Sequence, residues 1–476
     1  MRERIIDLGG STDPHSIGKR CTIIDVKLGR RFYRIMIDCG TEFKEDGEFA
    51  GSGETPNFNL VKDKEIDIVL LTHADTDHCG ALGALRASGL LKKDAPVISS
   101  PQAALVLPFV LADGERSKRH NILDTVNILN RRKVVPKPGV CEVLPGLQVF
   151  FGQNGHKPGS AFIIVRMGSG KKILFTGDMC ADDLPITKGR RLLSQMLPPG
   201  WAPDAIGSTD LTYGKGSKEP LAVEVEKLRS QVRADLTVGK KIVIGAFSTG
   251  RGQCIPSWIG DIAKEFGVTI WLDGAIPKVY RIFQENRWSD RDLSLPEIGE
   301  GTGIHEIRDS KHRRVLLEEG GPAIFVTTSG MANVGPIIKD YIPYGIPRKD
   351  FSFYFTSWFT PSSNANRLVT KYNKIKEGDN KGDIPEVKLR DEDDEGVRVV
   401  LPLLADVYHF RLGSHGDLSE SLEFYLDIVE NCRGGDLLEF INMTHGSLAS
   451  ISQASGELRP FADQLFYGLE NTVINV

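Results

Sequence analysis

The sequence has few cysteines, and no two of them form a Cys-x-x-Cys pair. Seven cysteines among 476 residues, an odd number, argue against a disulfide framework and suit a reducing compartment. Long apolar runs are also missing: none reaches the length needed to span a bilayer, and residues 1–4 lead into no signal-peptide core. These absences predict a cytoplasmic protein without a membrane partner.

An excess of positive charge is likewise absent. The 59 lysines and arginines against 63 aspartates and glutamates give a formal net charge of -4. That balance excludes a broadly basic protein that coats nucleic acid, so any contact with nucleic acid must be local. The most polar stretch, 374–396, contains the acidic run 391–395 and is predicted to be a solvated loop rather than a partner-binding tail.

Imidazoles and carboxylates are concentrated in one short segment. His73, Asp75, Asp77 and His78 fall within six positions, directly after the apolar run 66–71. Residues two apart in an extended chain project to the same side, so His73 and Asp75 could hold one cation while the other two reach a second. Placing so many imidazoles and carboxylates close together costs free energy unless a metal ion binds them. The segment therefore predicts half of a two-metal site.

Single residues at the ends of later apolar runs are suited to complete this site. Each of the three follows a strand-like segment: His156, Asp178 and His445. A sheet edge holds ligands rigidly while leaving room for a substrate, so we expect these side chains to meet the first segment there. Asp38 ends an apolar run in the same way.

In this order the residues resemble the ligand set of the metallo-β-lactamase superfamily, a His-x-His-x-Asp-His loop followed by His, Asp and His. The resemblance implies two metal positions bridged by Asp178, the first with His73, Asp75 and His156 and the second with Asp77, His78 and His445. The chain departs from the family at Asp75, which stands where a second histidine is usual.

Asp75 bears on the choice of metal. An added carboxylate hardens the site and cancels more cation charge than a neutral imidazole does. Zinc is the first expectation for the two divalent ions, and manganese or iron becomes plausible beside it. The alternative that His73 and Asp75 are polar loop residues of no consequence is disfavoured, because every expected partner follows in order.

Further segments narrow the resemblance to the β-CASP subgroup, the nucleic-acid-processing branch of the superfamily. Residues 207–214 resemble its acidic motif A, with Asp210 as the acid. Residues 246–253 and 328–331 resemble two signature segments of the domain that this subgroup inserts. Each match is weak alone, and the order in which they occur makes them strong.

The segment 413–417 resembles motif B, whose histidine is His415. Asp417 and Glu420 predict a capping box, so His415 would lie just before a helix N-terminus, where free amides favour an anion such as phosphate. His445 matches motif C of the RNA-processing members, RNase J and the cleavage and polyadenylation nucleases, whereas the DNA cross-link repair branch typically lacks this histidine. RNA is therefore favoured over DNA.

The resemblance implies an α/β protein: an αββα metallo-β-lactamase sandwich with an inserted, doubly wound α/β β-CASP domain. The expected units are the N-terminal part of the sandwich at 1–210, the insert at 211–396 and the return to the sandwich at 397–476. The insert's own pattern agrees, since strand-like runs at 242–247 and 268–272 flank an amphipathic helix near 255–266, an alternation typical of a parallel sheet.

Substrate contacts are expected from the insert. Arg251, Ser329 and Gly330 are candidates for holding substrate phosphates, and bracing of the contact between domains is an equal alternative for Arg251. Residues 355–368 depart from the segment that the family has at this place. Within them Trp358 or Phe359 could stack a base, although burial in the core of the insert is favoured for both.

The implied activity is that of a metal-dependent ribonuclease. Two metals would lower the pKa of a shared water and give a hydroxide for attack on the phosphodiester. Asp77, Asp210 and His415 are the predicted catalytic residues, with His415 protonating the departing oxygen and Asp210 orienting it. Asp38 is expected to support the ligand loop by hydrogen bonds.

The sequence leaves several points open. Cleavage could be internal or proceed from the 5′ end, and single-stranded RNA would bind in a cleft between the domains. A homodimer or a partner in a processing complex is also left open. The alternatives to a ribonuclease are a catalytically silent β-CASP scaffold, a DNA nuclease or a small-ester hydrolase of the same fold.

Overall fold

A computed structural model describes residues 2–10, 17–43, 54–116, 120–214, 216–289, 293, 295–378, 385–390 and 398–476. The acidic run 391–395 lies outside these residues. Within them, no helix is both long enough and apolar enough to cross a bilayer.

The strands, in chain order, are β1 (Arg4–Asp7), β2 (Ile17–Gly18), β3 (Thr22–Leu28), β4 (Arg31–Ile37), β5 (Glu42–Phe43), β6 (Ile68–Leu70), β7 (Val97–Ser99), β8 (Arg132–Val134), β9 (Gly139–Leu144), β10 (Leu147–Gln153), β11 (Ala161–Arg166), β12 (Lys172–Phe175), β13 (Ala205–Ser208), β14 (Lys241–Gly245), β15 (Ile270–Leu272), β16 (Ile304–Glu306), β17 (Ala323–Thr327), β18 (Phe351–Phe355), β19 (Glu386–Arg390), β20 (Arg398–Pro402), β21 (Asp406–His409), β22 (Leu438–Met443), β23 (Ala462–Tyr467) and β24 (Val473–Asn475).

The α-helices are α1 (Thr76–Cys79), α2 (Leu82–Ala87), α3 (Pro101–Arg116), α4 (Ile122–Leu129), α5 (Leu193–Met196), α6 (Leu221–Thr237), α7 (Arg251–Glu265), α8 (Ile276–Glu285), α9 (Ser310–Glu318), α10 (Ile342–Gly345), α11 (Asn364–Lys376), α12 (Leu418–Asp427) and α13 (Leu448–Leu458).

Two seven-stranded sheets pack face to face. Their strand orders are β24-β1-β3-β4-β6-β7-β8 and β23-β22-β13-β12-β11-β10-β9. Side chains alternate between the two faces of a strand, and along β4 the buried Ile35 and Ile37 join the core between the sheets while Met36 joins the outer core. Burying each such side chain contributes about 1.5–3 kcal/mol, so this alternation fixes which face turns inward.

Helices cover the outer face of each sheet. Leu85 of α2 and Leu107 of α3 lie in one hydrophobic cluster with Met36 of the first sheet. Phe424 of α12 and Ile451 of α13 lie in another cluster with strands of the second sheet. The order of layers is therefore helix, sheet, sheet, helix, and the predicted αββα sandwich is confirmed.

A third sheet is wholly parallel, with the order β16-β15-β17-β14-β18-β21. Ile242 and Ile244 of its central strand β14 pack with α6, α7 and α8, whereas Val243 packs with α9, α10 and α11 on the other face. The predicted doubly wound sheet is therefore confirmed. The predicted amphipathic helix is α7, whose buried face includes Ile255 and Ile259.

The polar stretch 374–396 is only partly a loop. Its residues Glu386–Arg390 form β19, which pairs antiparallel with β20, and the prediction of a solvated loop is wrong there. Val387 and Leu389 are buried and alternate with charged residues. This two-residue period of apolar side chains gives a strand with one buried face in spite of the high charge of the segment. The domain boundaries at 210 and 396 stay predictions; the third sheet takes strands from 241 to 409, including β21 beyond residue 396.

Candidate metal centre and active site

The predicted ligands meet at one edge of the sandwich. The chain carries them there in the segments after four strands: His73, Asp75, Asp77 and His78 after β6, His156 after β10, Asp178 after β12, and His445 after β22; the predicted catalytic residue Asp210 follows β13. β12, β13 and β22 are parallel neighbours, so their carboxyl ends lie side by side. The structure therefore brings together side chains that are far apart in the sequence.

The first group of potential ligands is His73, Asp75 and His156, whose donor atoms lie within 4.8 Å of one another. Nε2 of His73 is 3.5 Å, and Nε2 of His156 is 3.4 Å, from Oδ2 of Asp75. Nδ1 of His156 lies 2.9 Å from the carbonyl oxygen of Ser414, to which it donates a hydrogen bond. That bond leaves Nε2 as the ring atom available to a cation.

The second group is Asp77, His78, Asp178 and His445, again with donor atoms within 4.8 Å. Oδ1 of Asp178 is 3.1 Å from Nε2 of His78 and 3.3 Å from Nε2 of His445. Asp77 is more distant, with Oδ2 at 3.8 Å from Nε2 of His78 and 3.9 Å from Nε2 of His445. The other oxygen of Asp178, Oδ2, is 3.4 Å from Nε2 of His73, so this carboxylate faces both groups.

The buried donor atoms fit divalent cations. Among the described residues, no hydrogen-bond partner reaches Nε2 of His73, Nε2 of His78, Oδ1 of Asp178 or either ring nitrogen of His445. A buried polar atom left without a partner costs about 1–3 kcal/mol, and coordination to a cation removes that cost. Imidazole and carboxylate donors suit zinc, manganese and iron alike, so the residues fit a metal without choosing it.

The charge of the site also favours a cation. Burial alone would lower the pKa of His78, but the carboxylates of Asp178 and Asp38 hold it well above its ordinary value. Burial lowers the pKa of His445 to about 4, so its ring is neutral at pH 7, as a metal ligand must be. The carboxylates therefore place excess negative charge around the rings.

Asp38 holds the ligand loop from below. Its carboxylate lies 2.8 Å from Nδ1 of His78 and accepts hydrogen bonds from N and Oγ1 of Thr72 at 2.8 and 2.7 Å. The hydrogen bond to Nδ1 directs Nε2 of His78 toward Asp178. The predicted hydrogen bonds from Asp38 to the ligand loop are confirmed. Cys79 and Cys180 beside the ligands are fully buried.

A histidine and an aspartate pair beside the ligand groups. Nδ1 of His415 lies 3.0 Å from Oδ2 of Asp210, which also accepts the backbone N–H of Met179 at 2.9 Å. Burial would raise the pKa of Asp210, but His415 lowers it to about 2, and burial would lower the pKa of His415, but Asp210 and then Asp178 raise it. The pair therefore favours a charged imidazolium. His415 and Asp210 also lie within 4.8 Å of donor atoms of Asp178 and His445, which is compatible with a ligand role too.

His415 lies just before α12, as predicted, but the predicted capping box forms only in part. Asp417 caps the helix by accepting the backbone N–H of Glu420 at 3.0 Å. The carboxylate of Glu420 does not return the bond: it lies 3.2 Å from Nζ of Lys218 and accepts the N–H of Ala181 at 3.4 Å. An ammonium is a stronger partner for a carboxylate than a backbone amide, which accounts for the difference.

Two residues of the site were not predicted. Lys157 follows His156 directly, and its ammonium donates a hydrogen bond to Oδ2 of Asp75. The ammonium is also 3.2 Å from Oγ1 of Thr249, which is itself 3.3 Å from Oδ1 of Asp75. Burial would raise the pKa of Asp75, but Lys157 and then His73 hold it well below its ordinary value. The one signal in the sequence was a lysine next to a predicted ligand.

The candidates for substrate contact lie in the insert. Arg251 is buried and its Nε donates to the carbonyl oxygen of Leu412, a contact that favours the bracing alternative. Ser329 and Gly330 follow β17, and Oγ of Ser329 is buried with no hydrogen-bond partner in the part of the chain that the structure describes. A Cβ at position 330 would lie 3.1 Å from Oγ of Ser357, so a larger residue there would need Ser357 to shift by a few tenths of an ångström.

The two aromatic candidates differ in exposure. Phe359 is partly buried at the edge of a hydrophobic cluster and packs against His409 with a distance of 4.3 Å between ring centroids, so the favoured prediction of burial is confirmed only in part. Trp358 is 41% exposed, and the prediction that it is buried is wrong. Its ring is therefore accessible to a ligand.

The αββα sandwich thus carries two groups of imidazole and carboxylate side chains that share one aspartate and could hold metal ions. Residues 33–234 match the metallo-beta-lactamase superfamily. The predicted resemblance of the chain to this superfamily and to its β-CASP subgroup is confirmed.

Similar proteins include ribonucleases. A ribonuclease of Thermus thermophilus is 26% identical over 338 residues, which cover 67% of this chain and 73% of that protein. An RNase J-like protein of Methanocaldococcus jannaschii is 26% identical over 331 residues, covering 68% of this chain and 71% of that protein. The transcription termination factor FttA of Pyrococcus horikoshii is 24% identical over 333 residues, covering 64% of this chain and 48% of that protein.

Proposed function

We propose that this chain is a metal-dependent ribonuclease that hydrolyses phosphodiester bonds of RNA. The observation that carries the proposal is the convergence of two functions on Asp178. Its carboxylate faces both ligand groups, and Oδ2 also lies 3.9 Å from Nδ1 of His415. A proton donor thus stands beside the cation positions, where a leaving oxygen needs it. The ribonucleases among the similar proteins support RNA as the substrate.

Seven residues would hold two divalent ions, with Asp178 between them: His73, Asp75, Asp77, His78, His156, Asp178 and His445. When bound, such ions make a water nucleophilic at neutral pH and stabilise the charge that develops on the phosphate. Zinc is the first choice, and Asp75 makes manganese or iron plausible. The side chain of Asp77 is 14% exposed and is thus the carboxylate of the second group that substrate and water can reach.

His415 would protonate the departing oxygen. Its side chain is 22% exposed, in contrast to the fully buried His78, so it faces the substrate side of the centre. Asp210 fixes the ring through Nδ1 and stabilises the imidazolium, which leaves Nε2 free to donate. This division of roles makes Asp210 a positioning residue and His415 the proton donor.

The substrate would be single-stranded RNA, bound in the cleft between a metal-binding unit of residues 1–210 and 397–476 and an insert of residues 211–396. The contact of Thr249 with Asp75 supports a site that both units build. Ser329 and Gly330 would bind substrate phosphates from the insert, whereas Arg251 braces the two units. The protein would act in the cytoplasm, either as a homodimer or with a partner in a processing complex.

The test is cleavage of end-labelled single-stranded RNA and DNA of one sequence. The wild type is compared with a His73→Ala, Asp178→Ala variant, in zinc and in manganese. A His312→Ala, Asp436→Ala variant is the matched control, because it exchanges the same residue types outside the ligand groups. We expect RNA-selective cleavage that the first variant loses and the control keeps. A ladder of internal fragments indicates endonuclease action, and release of mononucleotides from the 5′ end indicates exonuclease action.

Other results would favour the alternatives. Equal or preferential cleavage of DNA overturns the choice of RNA. Hydrolysis of small phosphodiesters or thioesters without any cleavage of RNA indicates a small-ester hydrolase. No cleavage in either metal, by a chain that is folded, indicates a scaffold subunit.

A further inference from the structure

The side chain of Lys157 enters the first ligand group. It is 9% exposed, and its ammonium donates to Oδ2 of Asp75. This is the same oxygen that lies 3.5 Å from Nε2 of His73 and 3.4 Å from Nε2 of His156. The ammonium therefore uses the atom that this group offers to a cation.

The second ligand group has no such competitor. Among the described residues, no ammonium or guanidinium hydrogen-bonds to the donor atoms of Asp77, His78, Asp178 or His445. Nε2 of His78 and Oδ1 of Asp178 are instead buried without any hydrogen-bond partner among those residues. The two groups thus differ in the charge that a metal ion would meet.

Thr249 holds the lysine in this position. Its Oγ1 accepts a hydrogen bond from Nζ of Lys157 at 3.2 Å and donates one to Oδ1 of Asp75 at 3.3 Å. Thr249 lies in the loop between β14 and α7 of the third sheet, so the three side chains close a ring across two parts of the fold. The position of the loop that carries Thr249 therefore affects the contacts of Asp75 and Lys157 in the first ligand group.

We propose that Lys157 competes with a metal ion for Asp75, so that the first position binds its ion more weakly than the second. The inference deepens the proposed function and rests on it for the two metal positions. The ammonium of Lys157 and a metal ion bound to the same carboxylate would repel each other. The lysine must therefore give up its hydrogen bonds to Asp75 and Thr249 before an ion can bind there. Lys157 therefore sets the order in which the two positions bind their metal ions.

The test is the metal content of the full chain at equilibrium. Metal-free protein is dialysed against a series of buffered free zinc concentrations, and metal per chain is measured by mass spectrometry. Lys157→Met keeps the length of the side chain and removes its charge; Lys157→Gln is a second neutral variant in case the first does not fold. Lys172→Met is the matched control, since Lys172 pairs with Asp204 at 3.0 Å outside the ligand groups.

We expect the wild type to take up two ions in two steps, separated at least about tenfold in zinc concentration. Asp75→Asn should remove the weak step and His445→Ala the tight one. Lys157→Met or Lys157→Gln should bring the weak step at least about tenfold closer to the tight one, and Lys172→Met should leave both unchanged. A wild type that stays at one ion supports the proposal if a neutral Lys157 variant takes up the second.

Uptake of two ions in one step by the wild type overturns the proposal. The proposal also fails if the wild type takes up two ions in separate steps, or only one ion, and the neutral Lys157 variants behave in the same way. Either result leaves the ribonuclease proposal standing. Two separated steps that respond to Lys157, in a chain that cuts no RNA, would support the loading order and refute the ribonuclease. A chain that binds no ion would refute both.

Discussion

Replacing Asp210 with asparagine removes the charge that faces His415 while keeping the size of the side chain. Nδ1 of His415 and Oδ2 of Asp210 are 3.0 Å apart. Burial alone would lower the pKa of His415, but the carboxylates of Asp210 and then Asp178 raise it. A proton donor must be protonated, so the active form of His415 is present below this raised pKa and is lost as the pH rises through it.

The magnitude follows from the separation of the charges. Two unit charges 3.0 Å apart interact by about 5.5 kcal/mol at an effective dielectric constant of about 20. Measured shifts from one close opposite charge are about 1–3 pKa units. Asp178 remains 3.9 Å from His415 in the variant and keeps part of the effect. We therefore expect the alkaline limb of kcat/KM to move down by about 1–2 pH units.

The assay is kcat/KM for a short fluorescent RNA between about pH 5 and pH 10, with metal per chain measured on the same samples. Asp436→Asn, an exposed aspartate outside the site, is the control and should keep the wild-type profile. An unmoved alkaline limb would refute the role of Asp210 in charging His415. Loss of metal by Asp210→Asn would make Asp210 a ligand, which its distance to Asp178 and His445 also allows.

Three further predictions concern neighbouring residues. Asp38→Ala removes the hydrogen bond to Nδ1 of His78 and should weaken metal binding about 10- to 100-fold, measured by competition with a chelator; unchanged affinity would contradict the supporting role. Trp358→Ala should weaken binding of single-stranded RNA by about 1–3 kcal/mol in fluorescence anisotropy without changing metal content, and equal affinity would exclude base stacking by this exposed ring. Arg251→Met leaves the carbonyl oxygen of Leu412 without its donor and should lower the free energy of unfolding by about 1–3 kcal/mol in denaturant titrations. Weaker RNA binding at unchanged stability would instead restore the phosphate-binding role of Arg251.

The ligand groups could be predicted because each member follows a strand that the local sequence encodes. Apolar runs before His73, Asp178 and His445 specify buried strands, and the ends of parallel strands meet at one edge. Asp38 could be predicted as a support for the same reason. The assignment of donor atoms to two groups then follows from the distances alone.

Contacts that depend on how distant parts of the chain pack could not be predicted in this way. Lys157 and Asp75 are 82 positions apart, and Thr249 reaches them from the third sheet. No periodicity records such a contact, and a lysine in a loop is ordinarily solvated. The exposure of Trp358 has the same origin, because residue type favours burial while the neighbouring loops decide it. Glu420 does not complete the predicted capping box because its carboxylate pairs with Lys218, which is more than 200 positions away in the sequence.

In the proposed ribonuclease, Asp178 joins two ligand groups in one centre. The most direct measurement is cleavage of single-stranded RNA by metal-replete wild type and by the His73→Ala, Asp178→Ala variant, with metal per chain determined on both. We expect RNA cleavage and bound metal in the wild type, and loss of both in the variant. RNA cleavage that survives in the metal-free variant would contradict it.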